Sequence, residues 1–211
     1  MRFRLLFLSL LLCLLPALAP AQQIYNDGPI NGTTDAWTIN DGFFVGDTFT
    51  VSGGASTVTG MQFGAWMFPG DTIESVEVWI TSEAGGGTFY FDQQVNFTAS
   101  GCAGNQFGYE VCTETGMFNG PTLNNGMYWV ELQNAVVPSG DPVYWDENSG
   151  AGCTSPGCPS DTYVEEGSIP AESFTILGGP AGGGTTPEPS AITLFATGVV
   201  AAFAFVRRKL L

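Results

Sequence analysis

The chain has 211 residues and a formal net charge of −15, from twenty acidic side chains, five basic ones and no histidine. Between Gln22 and Pro187 it contains nineteen acids and no lysine, arginine or histidine. This charge repels nucleic acids and anionic membranes. The missing residues exclude Ser-His-Asp, Cys-His and Schiff-base catalysis as well as imidazole-bound zinc, which leaves carboxylate chemistry such as glycoside hydrolysis.

The first 21 residues have the features of a secretory signal peptide. A basic start precedes an apolar run of about 11 residues, which is short of the roughly 20 that cross a bilayer. Ala19 and Ala21 supply the small side chains that signal peptidase needs before a cut at Gln22. The sequence therefore predicts that residues 1–21 direct export and are removed.

Residues 22–177 are predicted to form one all-β domain. Short segments rich in valine, threonine and aromatic residues alternate with Gly-, Pro-, Asn- and Asp-containing turns. We expect a two-sheet antiparallel β-sandwich that is jelly-roll-like, with an immunoglobulin-like sandwich as the alternative. The predicted strands cover residues 43–51, 58–68, 76–80, 88–97, 128–132, 143–145 and 174–177.

Alternation within these strands predicts which side chains face the core. The inward set is Met61, Phe63, Val76, Val78, Ile80, Phe89, Phe91, Val95, Tyr128, Val130 and Leu132, and the outward set is Glu77, Trp79, Trp129 and Glu131. Residues 47–50 and 172–175 have similar sequences. That similarity predicts that the strands containing them pair with each other and close the sandwich.

Four cysteines remain once the signal peptide is removed, and an even number in an exported chain indicates disulfides. Four cysteines allow three connectivities. We expect Cys102–Cys112 and Cys153–Cys158, because each pair lies within one loop-like stretch. A four-thiolate zinc site is the alternative, although the spacing contains no CxxC pair.

Acidic residues supply two kinds of candidate site. Possible glycosidase pairs are Glu74/Glu77, Asp146/Glu147 and Glu165/Glu166. Neighbouring strand residues point to opposite faces, so we expect these acids to form a solvated surface instead. We expect no cofactor, and the alternative is a calcium ion held by loop oxygens such as those at 26–28, 40–42 and 141–147, although no EF-hand loop is present.

Aromatic residues could form a platform on which sugars stack. The candidates are Trp37, Trp66, Trp79, Trp129, Trp145, Tyr109, Tyr144 and Tyr163. Strand positions favour core or inter-sheet locations for Trp66, Trp79 and Trp129 instead. Trp145 lies between Tyr144 and several acids, and we therefore predict it to be the most exposed of the tryptophans.

The C-terminal part differs from the rest of the chain. Residues 178–186 are a Gly/Pro/Thr-rich linker, and residues 191–206 are continuously apolar. As a helix, those 16 residues would measure about 24 Å, which flanking residues can extend to a membrane span. The basic cluster from Arg207 to Lys209 should stay on the cytoplasmic side.

Three features of residues 187–211 together resemble the PEP-CTERM sorting signal of Gram-negative bacteria. They are Pro187-Glu188-Pro189, the short apolar segment, and the cluster that begins with Arg207 and Arg208. The resemblance implies processing by an exosortase-like membrane enzyme and a final location at the cell surface or outside the cell. Residues 59–71 and 126–135 resemble a domain type found in such proteins, which implies no particular activity.

The sequence thus favours a non-enzymatic surface or biofilm-matrix protein with an adhesive or structural role. It would be anchored in the inner membrane only transiently, through its C-terminal helix. A carbohydrate-binding module that contacts extracellular polysaccharide is one alternative, and a carboxylate-only glycoside hydrolase is another.

Overall fold

The computed structural model describes residues 22–148, 162–164, 167–169 and 171–182. In this part of the chain, no helix is long and apolar enough to cross a membrane. The regular elements here are strands: β1 (Gln23–Asn26), β2 (Ala36–Thr38), β3 (Phe44–Val51), β4 (Ser56–Met67), β5 (Ser75–Glu83), β6 (Gly86–Gly104), β7 (Glu110–Met117), β8 (Thr122–Leu123), β9 (Gly126–Val136), β10 (Tyr144–Asp146), β11 (Thr162–Val164), β12 (Gly167–Ile169) and β13 (Phe174–Pro180).

The strands form one curled antiparallel sheet in the order β1-β13-β4-β7-β6-β5-β9-β3-β11-β12, with β2, β8 and β10 attached to its sides. Strand β6 produces the curl. Up to Asn96 it pairs with β5, and from Phe97 onward it pairs with β7. The sheet is therefore a half-barrel, consistent with the predicted β-sandwich, and the all-β antiparallel prediction is confirmed.

The core lies between the two halves of this sheet. In β5, Val76, Val78 and Ile80 are fully buried, while Glu77 and Trp79 on the opposite face are only partly buried. This alternation is the predicted one. Each large apolar side chain that is removed from water in this way contributes about 1.5–3 kcal/mol to folding, before entropy is counted.

Tyr25 joins the two ends of the curled sheet. Its ring, on β1, lies 6.3 Å from the ring of Phe49 on β3 and 5.6 Å from that of Phe174 on β13. Strands β1 and β3 stand far apart in the sheet order. The aromatic contacts therefore close the core where no backbone pairing does.

The predicted pairing of residues 47–50 with 172–175 is wrong. Strand β3 pairs with β9 and β11, and β13 pairs with β1 and β4. The four-residue strand β1, which has too little pattern to be recognised, occupies the edge of β13. The two segments still meet, because Asp47 Oδ2 accepts a hydrogen bond from the backbone N–H of Glu172 at 2.8 Å.

Two predicted side-chain positions are also wrong. Phe89 is 47% exposed, because the pairing of β5 with β6 shifts register between Ile80 and Thr81 and interrupts the alternation. Trp145 is fully buried, because β10 lies between β2 and β4. Its indole N–H donates to the carbonyl of Ser173 at 3.0 Å.

The disulfide Cys102–Cys112 is present, as predicted, and joins β6 to β7. The predicted pair Cys153–Cys158 lies outside the described residues, as do the signal peptide, the linker from residue 183 onward and the sorting tail.

Candidate functional site

Seven acids of the described residues are buried, and the predicted solvated surface is therefore wrong for Asp146 and Glu147 among the candidate pairs. The buried acids are Asp27, Asp47, Glu114, Glu131, Asp146, Glu147 and Glu172. Four of these, Asp47, Asp146, Glu147 and Glu172, act on one another electrostatically and are called the acidic cluster below. The structure brings them together from β3, from the end of β10 and from the segment before β13.

Asp146 is the structural member of the acidic cluster. Its Oδ1 accepts hydrogen bonds from the N–H of Gly32 at 2.9 Å and from the indole of Trp66 at 2.6 Å. Its Oδ2 accepts from the N–H of Asn31 and the hydroxyl of Ser173, both at 2.9 Å. Burial raises its pKa, and these four donors oppose that rise. Asp146 therefore fastens the loop at residues 31–32 to the sheet.

A glycine makes room for Asp146. A Cβ on Gly64 would lie 2.7 Å from the Cβ of Asp146 and 2.6 Å from the hydroxyl of Ser173. Real Cβ atoms do not approach this closely, so a side chain at position 64 would displace the Asp146–Ser173 hydrogen bond.

Glu147 and Glu172 face each other directly. They form an isolated antiparallel bridge, an arrangement that places both side chains on the same side of the backbone. Glu147 Oε1 accepts a hydrogen bond from the indole of Trp37 at 2.8 Å. Burial raises the pKa of Glu147, and the charges of Asp35 and Asp146 raise it further. Like charges placed directly opposite destabilise a pair of strands.

Glu172 is the most unusual member of the acidic cluster. It is fully buried, and in the described part of the chain neither of its carboxylate oxygens has a hydrogen-bond partner. Burial raises its pKa well above the usual value, and the nearby carboxylates of Asp47, Glu147, Asp146 and Asp35 raise it further. An ionised carboxylate in this position needs a positive partner.

Main-chain oxygens lie beside the acidic cluster. The side-chain amide of Asn148 donates to the carbonyl of Glu172 at 2.8 Å and also to the carbonyl of Asp27. Of the loops predicted to offer calcium ligands, those at 26–28 and 141–147 thus approach each other. In the loop at 40–42, by contrast, Asn40 binds backbone groups of Asp141 and Val143.

Three buried acids, Asp27, Glu114 and Glu131, lie outside the acidic cluster. Glu131, predicted to face outward, is covered by the β5–β6 turn, and it accepts hydrogen bonds from Thr81 Oγ1 and Gly85 N, both at 2.9 Å. Gly46 makes room for it, because a Cβ there would lie 3.0 Å from Glu131 Cγ. Burial raises the pKa of Glu114 to about 7.

Among the described residues, the glycosidase candidates do not form a paired site. Glu74 is exposed. Glu77 accepts hydrogen bonds from the indole of Trp79 at 3.1 Å and from the side chain of Asn134. Asp146 and Glu147 bind different donors, and Glu165 and Glu166 lie outside the described residues.

A group of aromatic rings lies at the surface beside β4 and β7. Trp66 stacks on Phe107 with ring centroids 5.5 Å apart, and Tyr109 contacts both Phe68, at 5.2 Å, and Tyr144, at 5.4 Å. Phe68 and Phe107 are 40% and 53% exposed, whereas Trp66 is buried beneath them, as predicted for the core. The five rings of Trp66, Phe68, Phe107, Tyr109 and Tyr144 are called the aromatic patch below.

The other two tryptophans predicted at core or inter-sheet positions, Trp79 and Trp129, are half-buried.

In the described residues, one group of three side chains has potential metal-ligand atoms close together. Cys102, Glu110 and Cys112 have ligand atoms within 4.8 Å of one another. The two sulfur atoms are joined in the disulfide, so they offer no thiolate for zinc, and no metal site is indicated there.

Sequence reasoning missed Asp47 and Glu172 as site residues. The only signal was the similarity between the segments that contain them, which we interpreted as strand pairing. Their contact joins residues that are 125 positions apart, and no local pattern encodes that separation.

Comparison with known protein families identifies a motif in the C-terminal part of the sequence. A family model described as the PEP-CTERM protein-sorting motif matches residues 185–209. The match contains Pro187, Glu188, Pro189, Arg207 and Arg208, and it confirms the resemblance predicted from the sequence. No curated protein and no solved structure matches the chain.

Proposed function

We propose that this chain, which carries the PEP-CTERM protein-sorting motif, is a non-enzymatic component of the cell surface or the extracellular matrix. The motif at residues 185–209 carries the proposal, because it marks an exported protein that an exosortase processes in the membrane. The β-domain that precedes it would act as an adhesive or structural module. We assign that domain to the jelly-roll-like sandwiches, on the support of its curled antiparallel sheet.

The experiment compares the chain with a variant whose sorting motif is changed, in a host that has an exosortase. We expect the unaltered chain to reach the surface or the medium, with a C-terminus near Pro187 in intact mass spectra. The Pro187→Ala/Glu188→Ala/Pro189→Ala variant should remain in the membrane fraction with its tail. Glu74→Gln, an exposed acid outside the motif, is the control. Recovery of the unaltered chain still ending at Leu211 would contradict the proposal.

A carbohydrate-binding module is a second candidate function, favoured by the aromatic patch. Exposed rings stack on sugars, and polar side chains hydrogen-bond the hydroxyl groups. A groove of about 390 Å³ is lined by Asn31, Thr33, Asn105 and Gln106, among others. Gln106 directly precedes Phe107 of the aromatic patch in the sequence. Extracellular polysaccharide is the ligand class that fits such a surface.

A glycan array with matched variants tests this second function. Phe107→Ala and Tyr109→Ala should each weaken binding to a glycan on the array by up to about tenfold, since one aromatic contact contributes about 0.5–1.5 kcal/mol. Phe43→Ala removes an aromatic side chain that is 49% exposed but lies outside the patch, and it should leave binding unchanged. If no glycan binds, or if Phe43→Ala has the same effect, the aromatic patch is not a sugar site.

A further inference from the structure

The acidic cluster poses a charge problem that the chain cannot solve with its own side chains. Asp47, Asp146, Glu147 and Glu172 are all at most 3% exposed. Because no lysine, arginine or histidine occurs between Gln22 and Pro187, no basic side chain of this domain can neutralise them. The compensating positive charge must be a proton or a cation taken from solution.

The hydrogen bonds show which carboxylates already have donors. Asp146 accepts four. Asp47 accepts the N–H of Thr48 at 2.6 Å through Oδ1 and the N–H of Glu172 through Oδ2. Among the described residues, the carboxylate of Glu172 accepts none, although the side chain is fully buried and lies on the same side of the backbone as that of Glu147, its bridge partner. Glu172 is thus the group for which a ligand is needed.

We propose that a calcium ion binds in the acidic cluster, with Glu172 as its central ligand and with Asp47 and Glu147 as the other carboxylate ligands. Glu147 lies directly opposite Glu172, and Asp47 already contacts the backbone of Glu172. Main-chain carbonyls and water complete the coordination. Asp146 is a positioning residue here, since each of its two carboxylate oxygens already accepts two hydrogen bonds.

The donor chemistry selects calcium among common metal ions. All the available ligand atoms are oxygens, which excludes the nitrogen and sulfur sets that favour zinc and copper. Calcium accepts six to eight oxygens in irregular arrangements, whereas magnesium requires a near-ideal octahedron. No three carboxylates of the described residues have oxygens within 4.8 Å of one another, so the side chains must rotate toward the ion, which calcium tolerates better.

A thermal-melting experiment on the full chain tests the site. At constant ionic strength, millimolar calcium should raise the melting temperature by about 5 °C relative to EDTA, and magnesium should raise it much less. Glu172→Gln keeps the shape of the side chain but weakens calcium binding at least tenfold, so it should abolish the shift. Glu74→Gln removes the same charge from an exposed position and should retain the shift.

Two other results of the melting experiment would contradict calcium binding at Glu172. If Glu172 is simply a protonated acid, the unaltered chain gives no calcium-dependent shift, and Glu172→Gln is at least as stable as the unaltered chain. Equal shifts in the unaltered chain, Glu172→Gln and Glu74→Gln would mean that calcium only screens the polyanion. Either result overturns the proposal.

A second measurement requires no change to the cluster, in case Glu172→Gln does not fold. Terbium replaces calcium at oxygen sites and emits light when a nearby tryptophan is excited. Because the indole N–H of Trp37 lies 2.8 Å from Glu147 Oε1, terbium should emit on excitation at tryptophan wavelengths. Calcium should displace it, and Trp37→Phe should reduce the emission. Terbium emission that calcium does not reverse, or no emission, contradicts the site.

Discussion

Glu114 shows how strand alternation can carry an acid into the core. It lies in β7 directly opposite Phe63 of β4, so both side chains point to the same side of the sheet, and both are fully buried. Among the described residues, neither carboxylate oxygen of Glu114 has a hydrogen-bond partner. Burial alone therefore raises its pKa to about 7. At neutral pH the group is close to half protonated.

This raised pKa predicts that the domain loses stability as the pH rises. In the unfolded chain Glu114 ionises near pH 4.5, but in the folded chain it keeps its proton up to about pH 7. Between these values unfolding releases a proton, so the free energy of unfolding falls by up to about 3 kcal/mol between pH 4.5 and pH 8. In chemical denaturation across this pH range, the free energy of unfolding of Glu114→Gln should fall less with rising pH than that of the unaltered chain.

Burial also raises the pKa values of Glu131, Asp146, Glu147 and Glu172, which change stability in the same direction, so the comparison of variants isolates Glu114. Glu74→Gln, at an exposed position, should follow the profile of the unaltered chain. If Glu114→Gln also keeps the full slope, the side chain does not titrate in the core as described.

At the scale of elements, the disulfide Cys102–Cys112 holds the β6–β7 hairpin together close to its turn. The pairing of β6 with β7 shifts register between Ser100 and Ala103, and Gly101 has φ of +64° there. Glycine adopts this left-handed conformation without strain. The bulge places exposed Cys102 next to buried Cys112.

Removal of this cross-link should destabilise the domain measurably. The disulfide closes a loop with a sequence separation of 10, for which the chain-entropy model gives about 3 kcal/mol. The double variant Cys102→Ala/Cys112→Ala should therefore lower the free energy of unfolding in urea by about this amount. Ser100→Ala, in the same hairpin, should change it by less than about 0.5 kcal/mol. An unchanged midpoint in the double variant would show that the hairpin does not depend on the bridge.

The predictability of individual elements follows from their pattern. Strand β5 was recognised because Val76, Val78 and Ile80 alternate with polar or amphipathic neighbours and all face the core. The exposure of Phe89 is not predictable in this way, because a bulge reverses the faces of a strand without any local signal in the sequence. Strand β1 is too short for its alternation to be distinguished from a loop.

At the scale of the whole molecule, the charge distribution connects export to stability. The basic residues lie before Gln22 and after Pro187, and the acids lie almost entirely between them. A domain without basic side chains has no internal counter-charge for its buried carboxylates. Protons or cations from its surroundings must supply it.

The sequence by itself determined that this protein carries a sorting signal for export, and it determined the class of its fold. The sorting motif, the cysteine spacing and the strand alternation are local patterns, and the lack of basic residues is a matter of composition, so all of them can be seen without a structure. Only the tertiary structure decided which acids leave the surface. Asp47 and Glu172 are 125 residues apart, and the curl of the sheet brings them into contact. Burial depends on strand register and on the closure of the sheet, and neither is encoded in any short segment.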